Sequence, residues 1–296
     1  MTEPLVPNLG VRPATAGDEE PIREIARDFD NLDSWPERPD YLDHELTTGL
    51  VLVGERDGDV VGFGGVLVRG DVVHLADLFV RKDLLGKGIG GAILRGLLDA
   101  SPPEAIRVTF ASSDPRALPL YAMAGMRPVM PVVYLSGSAD AARAVAAEGQ
   151  VRLAAGDELR GIAALDATAS GRTRDVDHAF LASLPSAEAL VVEDGAGVRA
   201  FAWVRLTPVV GGSGLREAFV GPVGARSEAE MSAMVAGVVR AVADRAAAVH
   251  VSLLGPNPAL ATLLRAGFRV VDRDTLMSSR VDLIDGRTYA PSLELG

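Results

Sequence analysis

Residues 80–91 read Val-Arg-Lys-Asp-Leu-Leu-Gly-Lys-Gly-Ile-Gly-Gly, and they limit the chain to a narrow set of local structures. An apolar run with strand character, Val72 to Val80, leads into them, and a helical pattern, Ala92 to Leu98, leads out. Gly86, Gly88, Gly90 and Gly91 keep Cβ atoms out of the turn, so backbone N–H groups can converge on one point where the helix begins. The helix dipole adds partial positive charge at that point. Strand, glycine turn and helix form the setting in which main chain holds a phosphate or pyrophosphate. A helix start needing only a tight turn would be served by one glycine, and four in six positions favour the anion.

Two familiar phosphate loops are tested first. A P-loop places Ser or Thr after its Gly-Lys, whereas Lys87 is followed by Gly88, which supplies no hydroxyl for a magnesium ion. Gly86-Lys87-Gly88-Ile89-Gly90-Gly91 satisfies the Gly-x-Gly-x-x-Gly of dinucleotide-binding folds. That fingerprint also expects an acid about 20 residues on at the end of a second strand, and Glu104 instead follows Pro102-Pro103 in a turn. A dinucleotide oxidoreductase stays as a lesser alternative.

A second motif lies downstream. Residues 114–126 read Asp-Pro-Arg-Ala-Leu-Pro-Leu-Tyr-Ala-Met-Ala-Gly-Met. This resembles the GNAT acetyltransferase pattern Asn-x-x-Ala-x-x-Leu-Tyr-x-x-x-Gly-Phe. The family's loop, Gln/Arg-x-x-Gly-x-Gly/Ala, is matched by Leu85-Gly86-Lys87-Gly88-Ile89-Gly90, with one short strand, Ala105 to Phe110, between the motifs. The chain is therefore similar to GNAT enzymes over residues 9–136, and by pattern alone over roughly 150–282.

The second stretch is an internal repeat. Tyr121-Ala-Met-Ala-Gly-Met-Arg-Pro-Val aligns with Leu263-Leu-Arg-Ala-Gly-Phe-Arg-Val-Val, and Asp114-Pro115 parallels Asn257-Pro258 one residue out of register. Strand patterns at Val51 to Glu55, Val60 to Val68 and Val72 to Val80 are mirrored at Leu190 to Glu193, Val198 to Leu206 and Arg216 to Val220. The helical run Glu228 to Asp244 and the strand Val249 to Leu253 complete the parallel. The expected organisation is a domain over 1–136, a linker over 137–149 with a short Ala-rich helix, and a second domain over 150–296. The fold class is α/β (α+β): two GNAT-like domains, each a mixed, mostly antiparallel sheet flanked by helices and splayed at the donor site. The second copy lacks a Gly-x-Gly loop, carries Glu228 and Glu230 where positive charge would be needed, and has Leu263 at the Tyr121 position. It reads as a degenerate copy that shapes the acceptor pocket or stabilises the first. The tail from Asp285 has no strong periodicity and reads as a disordered end, or as a segment lying between the copies.

Composition narrows the rest. With 296 residues and 48% hydrophobic content, two domains are affordable. Absence of cysteine excludes disulfides, thiolate catalysis and cysteine-ligated metals, and suits a reducing cytoplasm. There is no apolar run of membrane-spanning length and no signal peptide. Lys82 and Lys87 are the only lysines; with heavy Ala, Gly and Val usage this suggests a GC-rich bacterial genome. A net charge of −11 argues against nucleic acid as partner. Eleven acids and three bases between Asp18 and Glu45 supply most of that charge.

The resemblance implies an acetyl-CoA-dependent N-acetyltransferase that acts by direct attack on a primary amine of a small, cationic acceptor, as a monomer or homodimer, with no metal. The N–H groups of Leu85, Gly86, Lys87, Gly88, Ile89, Gly90 and Gly91 would hold the pyrophosphate, and Leu78, Phe79 and Val80 would pair with the pantetheine arm. Phe79 or Val80, near a bulge at the strand's end, would face the thioester oxygen. Leu85 replaces the family's Gln or Arg, leaving Lys87 or Arg81 to contribute, and Asp114 replaces its Asn. Tyr121 matches the family's general acid, a reading the flanking motif favours over that of a core tyrosine on an amphipathic helix. Asp77 is the candidate base and His74 the alternative; each also reads as an ordinary strand residue. Ser112 and Ser113 could line the site. The acidic stretch with Trp35 and Tyr41 would wall the acceptor site, or simply be a solvated face; Trp203 reads as core. A rival reading keeps the fold without catalysis, as an acyl-CoA-binding sensor or scaffold.

Overall fold

A computed structural model describes residues 8–147, 151–195, 197–208, 216–292 and 294–296. The N-terminal half runs β1 (Leu9–Pro13), α1 (Glu19–Asp28), α2 (Tyr41–Thr48), β2 (Leu50–Arg56), β3 (Asp59–Arg69), β4 (Val72–Val80), α3 (Ile89–Asp99), β5 (Ile106–Ala111), α4 (Ala117–Met123) and β6 (Arg127–Ser138). After α5 (Ala139–Ala144) the order repeats: β7 (Arg152–Leu153), α6 (Leu159–Ser170), α7 (Asp175–Ser183), β8 (Ala187–Asp194), β9 (Gly197–Pro208), β10 (Arg216–Ala225), α8 (Glu228–Val242), β11 (Ala248–Leu254), α9 (Leu260–Arg265) and β12 (Arg269–Ser278). A short β13 (Tyr289–Ala290) follows. Among the described residues no helix is long and apolar enough to cross a membrane.

Strand and helix periods account for these elements. β2 to β4 are rich in β-branched residues and buried along most of their length, which suits strands covered on both faces. α1 buries Ile22, Ile25 and Ala26, one face at helical spacing. The linker expected at 137–149 takes in the end of β6 and all of α5, with 148–149 outside the described residues.

The strands form one sheet rather than two, in the order β1-β2-β3-β4-β5-β12-β6-β11-β10-β9-β8-β7. The two halves exchange their last strands. β12 lies antiparallel to β5 through Thr275–Ala111 and Ser278–Val108, while β6 lies antiparallel to β11 through Leu135–Val251. β6 and β12 also pair with each other, closing the centre. Each half's fifth strand would otherwise end in a row of unpaired backbone groups.

Among the described residues, two strand pairs are parallel. β4 meets β5 at Val72–Ile106 to His74–Val108 and then diverges, leaving Asp77 to Val80 unpaired on that side. β10 meets β11 at Glu217–Ala248 to Val220–Val251 and diverges in turn. Here the wedge is filled: β13 enters and pairs antiparallel with β10 at Val223–Ala290 and Gly224–Tyr289, and it lies against β11. The expectation of a disordered tail is thus corrected. Tyr289 and Leu295 are buried, because the tail supplies the wedge with backbone partners and the core with apolar surface.

A buried ionic cluster fixes the tail. Arg174 pairs with Asp166 at 2.7 Å and donates to the carbonyls of Leu295 and Gly296. The Tyr289 hydroxyl accepts from Arg174 and donates to the Gly296 carbonyl at 2.7 Å. Removing one member of a buried pair strands the other without solvent. Asp166→Ala is therefore expected to lower the unfolding free energy by about 3–5 kcal/mol in urea titration.

Candidate functional site

The glycine turn lies open. Gly86 has φ +76° and Gly88, the residue capping α3, has φ +84°, in the left-handed region where an L side chain is strained. No side chain caps α3 and its first turn carries no acid. Among the described residues, none of the N–H groups of residues 85–88 donates to another backbone group. The first N–H groups of a helix have no intrahelical partner, so several donors and the positive dipole end stay free together. Space above Gly86 is empty to 4 Å. These features fit a diphosphate held by main chain. The corresponding helix of the other half is closed by its own side chains: Ser227 accepts from the Glu230 N–H, and Arg199 occupies Glu230. Lys87 reaches only the Asp83 carbonyl, at 3.3 Å, and remains beside the turn, whereas Arg81 is tied to the Asp83 carboxylate at 3.0 Å.

The turn opens onto a cleft of about 1060 Å³. The diverging stretch of β4, Leu78 to Val80, forms one wall, so the glycines, this stretch, Asp114, Asp77 and Tyr121 share one space. The bulge in β4 is not near Phe79–Val80 as expected. The register against β3 shifts between Gly65–Asp77 and Val66–Leu75, which makes Ala76 the extra residue. That shift sits where β4 leaves β5, and it turns Asp77 into the opening.

Asp77 is 4% exposed, and the amide of Asn31 reaches one of its oxygens at 3.4 Å. Burial, with Glu294 adding negative charge, raises it from the usual 3.8 to about 6. Glu45 lies fully buried behind it, with neither oxygen meeting a donor. Burial, then the charge of Asp77, pushes Glu45 well above the ordinary carboxylic range, so it keeps a proton beside Asp77. Tyr121 projects from α4 and is almost buried; desolvation, then Asp77 and Asp274, raises it, which keeps the phenol protonated. His74 also lines the cleft, but burial and the charges of Arg172 and Arg174 drive it well below its usual value, which makes it a weak base.

Other expected residues have different duties. Asp114 borders the cleft, yet its carboxylate accepts from the backbone and side chain of Arg116 at 2.8 Å and is lowered to about 2. Asn257 makes the same turn in the other half, accepting from the Ala259 N–H at 3.0 Å. Ser112 borders the cleft. Trp35 and Tyr41 do not. Tyr41 is buried in the core, and Trp35 lies against the Arg205 guanidinium at 3.4 Å, because apolar contacts in the core outcompete an exposed position for large aromatics. Asp18, Asp40 and Asp43 are occupied by Arg12 and Arg23, whereas Asp30 and Asp33 of the same stretch border the cleft. Trp203 is core, donating to His178 at 3.0 Å.

Several cleft residues went unread in the sequence: Asn31 and Ser34 from the α1–α2 connection, Tyr134 on β6, Asp274 on β12, Arg205 on β9 and Glu294 in the tail. Glu45, behind Asp77, sat unnoticed in a run of acids. The strand exchange brings Tyr134 and Asp274 together at 2.7 Å, a contact between residues 140 positions apart that no local pattern announces.

Comparisons with known proteins bear on this arrangement. Residues 20–126 match the Acetyltransferase (GNAT) family. A candidate acetyltransferase from Pyrococcus horikoshii shares 16% identity over 98% of this chain and 97% of its own, with a TM-score of 0.72. A tandem GNAT protein from the clavulanic acid biosynthesis pathway shares 16% over 91% of this chain and 98% of its own, at 0.60. A GCN5-related N-acetyltransferase from Kribbella flavida shares 20% over 91% of this chain and 70% of its own, at 0.58. At these identities the likeness is one of fold: a mixed α/β fold, with a large mixed sheet flanked by helices. No functionally curated protein matches the sequence.

Asp77 and Asp274 both sit at about 6 in the fold, against 3.8 for a free aspartate. The folded state therefore binds more protons than the unfolded chain between those values, and stability rises as pH falls through the upper one. His74 and His250, held neutral by burial, oppose this in the total, so the aspartate contribution is read as the difference between the wild-type and Asp77→Asn profiles in urea, a difference expected to grow from about pH 7 to about pH 5.

Proposed function

We propose that this chain transfers an acetyl group from acetyl-CoA to a primary amine of a small cationic acceptor. The observation that carries the reading is the shared cleft: an uncapped glycine turn at a helix start, an unpaired strand edge, a raised carboxylate and a protonated phenol open onto one space. Bound acetyl-CoA supplies an acetyl thioester whose carbonyl carbon an amine can attack.

Leu85 to Gly91 bind the diphosphate through main-chain N–H groups, and Leu78 to Val80 offer backbone groups to the pantetheine arm. Asp77 accepts a proton from the incoming ammonium, directly or through water, leaving a neutral nucleophile. A base titrating near 6 is ionised at neutral pH yet still able to hold a proton. Glu45, itself protonated, keeps the dyad at a single negative charge. Tyr121 holds at its Oη the proton that the departing sulfur needs as the carbon–sulfur bond gives way to carbon–nitrogen. His74, kept neutral, lines the floor.

In this reading the chain is two GNAT-like repeats, of which the first carries the chemistry. The second has its wedge filled by β13 and its helix start filled by Ser227 and Glu230. It contributes β12, the tail and one side of the acceptor cleft.

Steady-state assays with acetyl-CoA and a panel of amines test the proposal. Turnover is expected, with Tyr121→Phe and Asp77→Asn each lowering kcat by about 10²-fold or more. The rate is expected to fall on the acid side of about pH 6, where Asp77 takes up its proton. Gly88→Val is expected to weaken CoA binding in calorimetry, because the left-handed cap resists a side chain. Tight CoA binding without turnover on any amine would replace catalysis with an acyl-CoA-binding role.

A further inference from the structure

Three buried arginines of this fold each hold a carboxylate. Arg23 meets Asp40 at 2.6 Å, Arg69 meets Asp177 at 2.7 Å and Arg174 meets Asp166 at 2.7 Å. Arg205 on β9 is the contrasting case. It is 5% exposed and forms no ion pair among the described residues. One of its nitrogens donates to the Ser34 carbonyl at 2.8 Å. The guanidinium lies 3.4 Å from the centre of the Trp35 ring and 5.3 Å from that of Phe219. The charge of Glu294 bears on it, but that carboxylate takes the Ser34 hydroxyl instead. A cation taken out of water without a bonded counter-ion is costly, and burial lowers Arg205 from 12.5 to about 10.

Arg205 borders two spaces. One is the large cleft, and the other is a second cavity of about 410 Å³. Its walls are the end of the α1–α2 connection, Trp35 to Pro39, the turn between α7 and β8, Leu184 to Ser186, and the β9 residues Arg205 and Thr207. The glycine turn, Asp77 and Tyr121 do not reach it.

Donors dominate the interior of this cavity. The Trp35 indole N–H is buried and finds no acceptor. Thr207, 5% exposed, adds a hydroxyl beside Arg205. Arg38, at the exposed rim, is already held by Glu19 and Asp43. Glu37 is the one carboxylate among the described residues that line the cavity, and it too is exposed. A buried cation without a counter-ion and a buried N–H without an acceptor thus border one space, and an anion satisfies both. The remaining wall, Pro36, Pro39, Leu184 and Pro185, is apolar.

We infer that the second cavity binds a small organic anion, a single carboxylate on an apolar frame. The carboxylate meets Arg205 and the Trp35 N–H, and the frame lies against the prolines and Leu184. Small-molecule sites span about 300–1,000 Å³, so this cavity suits one ring or a short chain and is too small for a nucleotide carrier. The inference stands apart from the acetyl-transfer reading, because none of the residues assigned to that chemistry lines the cavity.

Calorimetry with benzoate, against the uncharged benzamide, tests it. Benzoate is expected to occupy one site per chain and to bind at least about tenfold more tightly than benzamide. Arg205→Gln is expected to remove that difference. Arg205 also lines the cleft, whereas Trp35 and Ser186 line the second cavity alone. Trp35→Phe, which keeps a ring and drops the N–H, is expected to weaken benzoate about fivefold. Ser186→Trp, which fills the cavity, is expected to abolish its binding. Circular dichroism and thermal unfolding check that each variant is folded, and the wild-type and Trp35→Phe titrations decide the matter should Ser186→Trp fail that check. No saturable binding of benzoate, equal affinity for benzamide, a preference that survives Arg205→Gln, or binding untouched by Trp35→Phe or by a folded Ser186→Trp overturns the inference.

Discussion

The molecule is organised by two parallel strand pairs that part company. Parallel strands cannot be joined by a tight turn, so a crossover helix links each pair, and the point of divergence falls beside that helix's start. In the N-terminal half this leaves an unpaired strand edge facing the first turn of α3. Buried backbone groups without partners are costly, which makes such an edge a demand for a ligand that offers backbone-like hydrogen bonds. The other half answers the same demand from within its own chain, with β13.

That asymmetry divides the labour. Where the wedge is filled and the helix start is capped, nothing in the geometry invites a phosphorylated ligand. What remains of that half is structural surface and charge. Its last strand completes the neighbouring sheet, and its tail carries Glu294 to the same cleft that receives the glycine turn. The cleft is thus lined by both halves of the chain, although the glycine turn comes from the first.

Much of this was visible in the chain. The glycine turn, β4 to the residue, and the parallel order of the halves followed from periodicity and from glycine chemistry, since both are local. The bulge at Ala76 was misplaced because a bulge belongs to the pairing of two strands and not to either sequence alone. Trp35 and Tyr41 were assigned to the acceptor wall on the family resemblance of the stretch that holds them, yet large aromatics were drawn into the core. Glu45 looked like one acid among many; only the fold buries it against Gly65 and leaves it to share a proton with Asp77. Asp274, Tyr134 and Glu294 reach the site through long-range pairing, which leaves no local trace.

The exchange of β6 and β12 has a consequence for how the protein comes into being. On the ribosome, the N-terminal half emerges with one edge of its fifth strand uncovered, and the strand that covers it, β12, is made only after β7 to β11. Neither repeat can then close as an autonomous unit, and the nascent chain must wait with exposed pairing groups. Cutting a molecule wired in this way at the apparent repeat boundary would yield two fragments, each bearing a strand that belongs to the other.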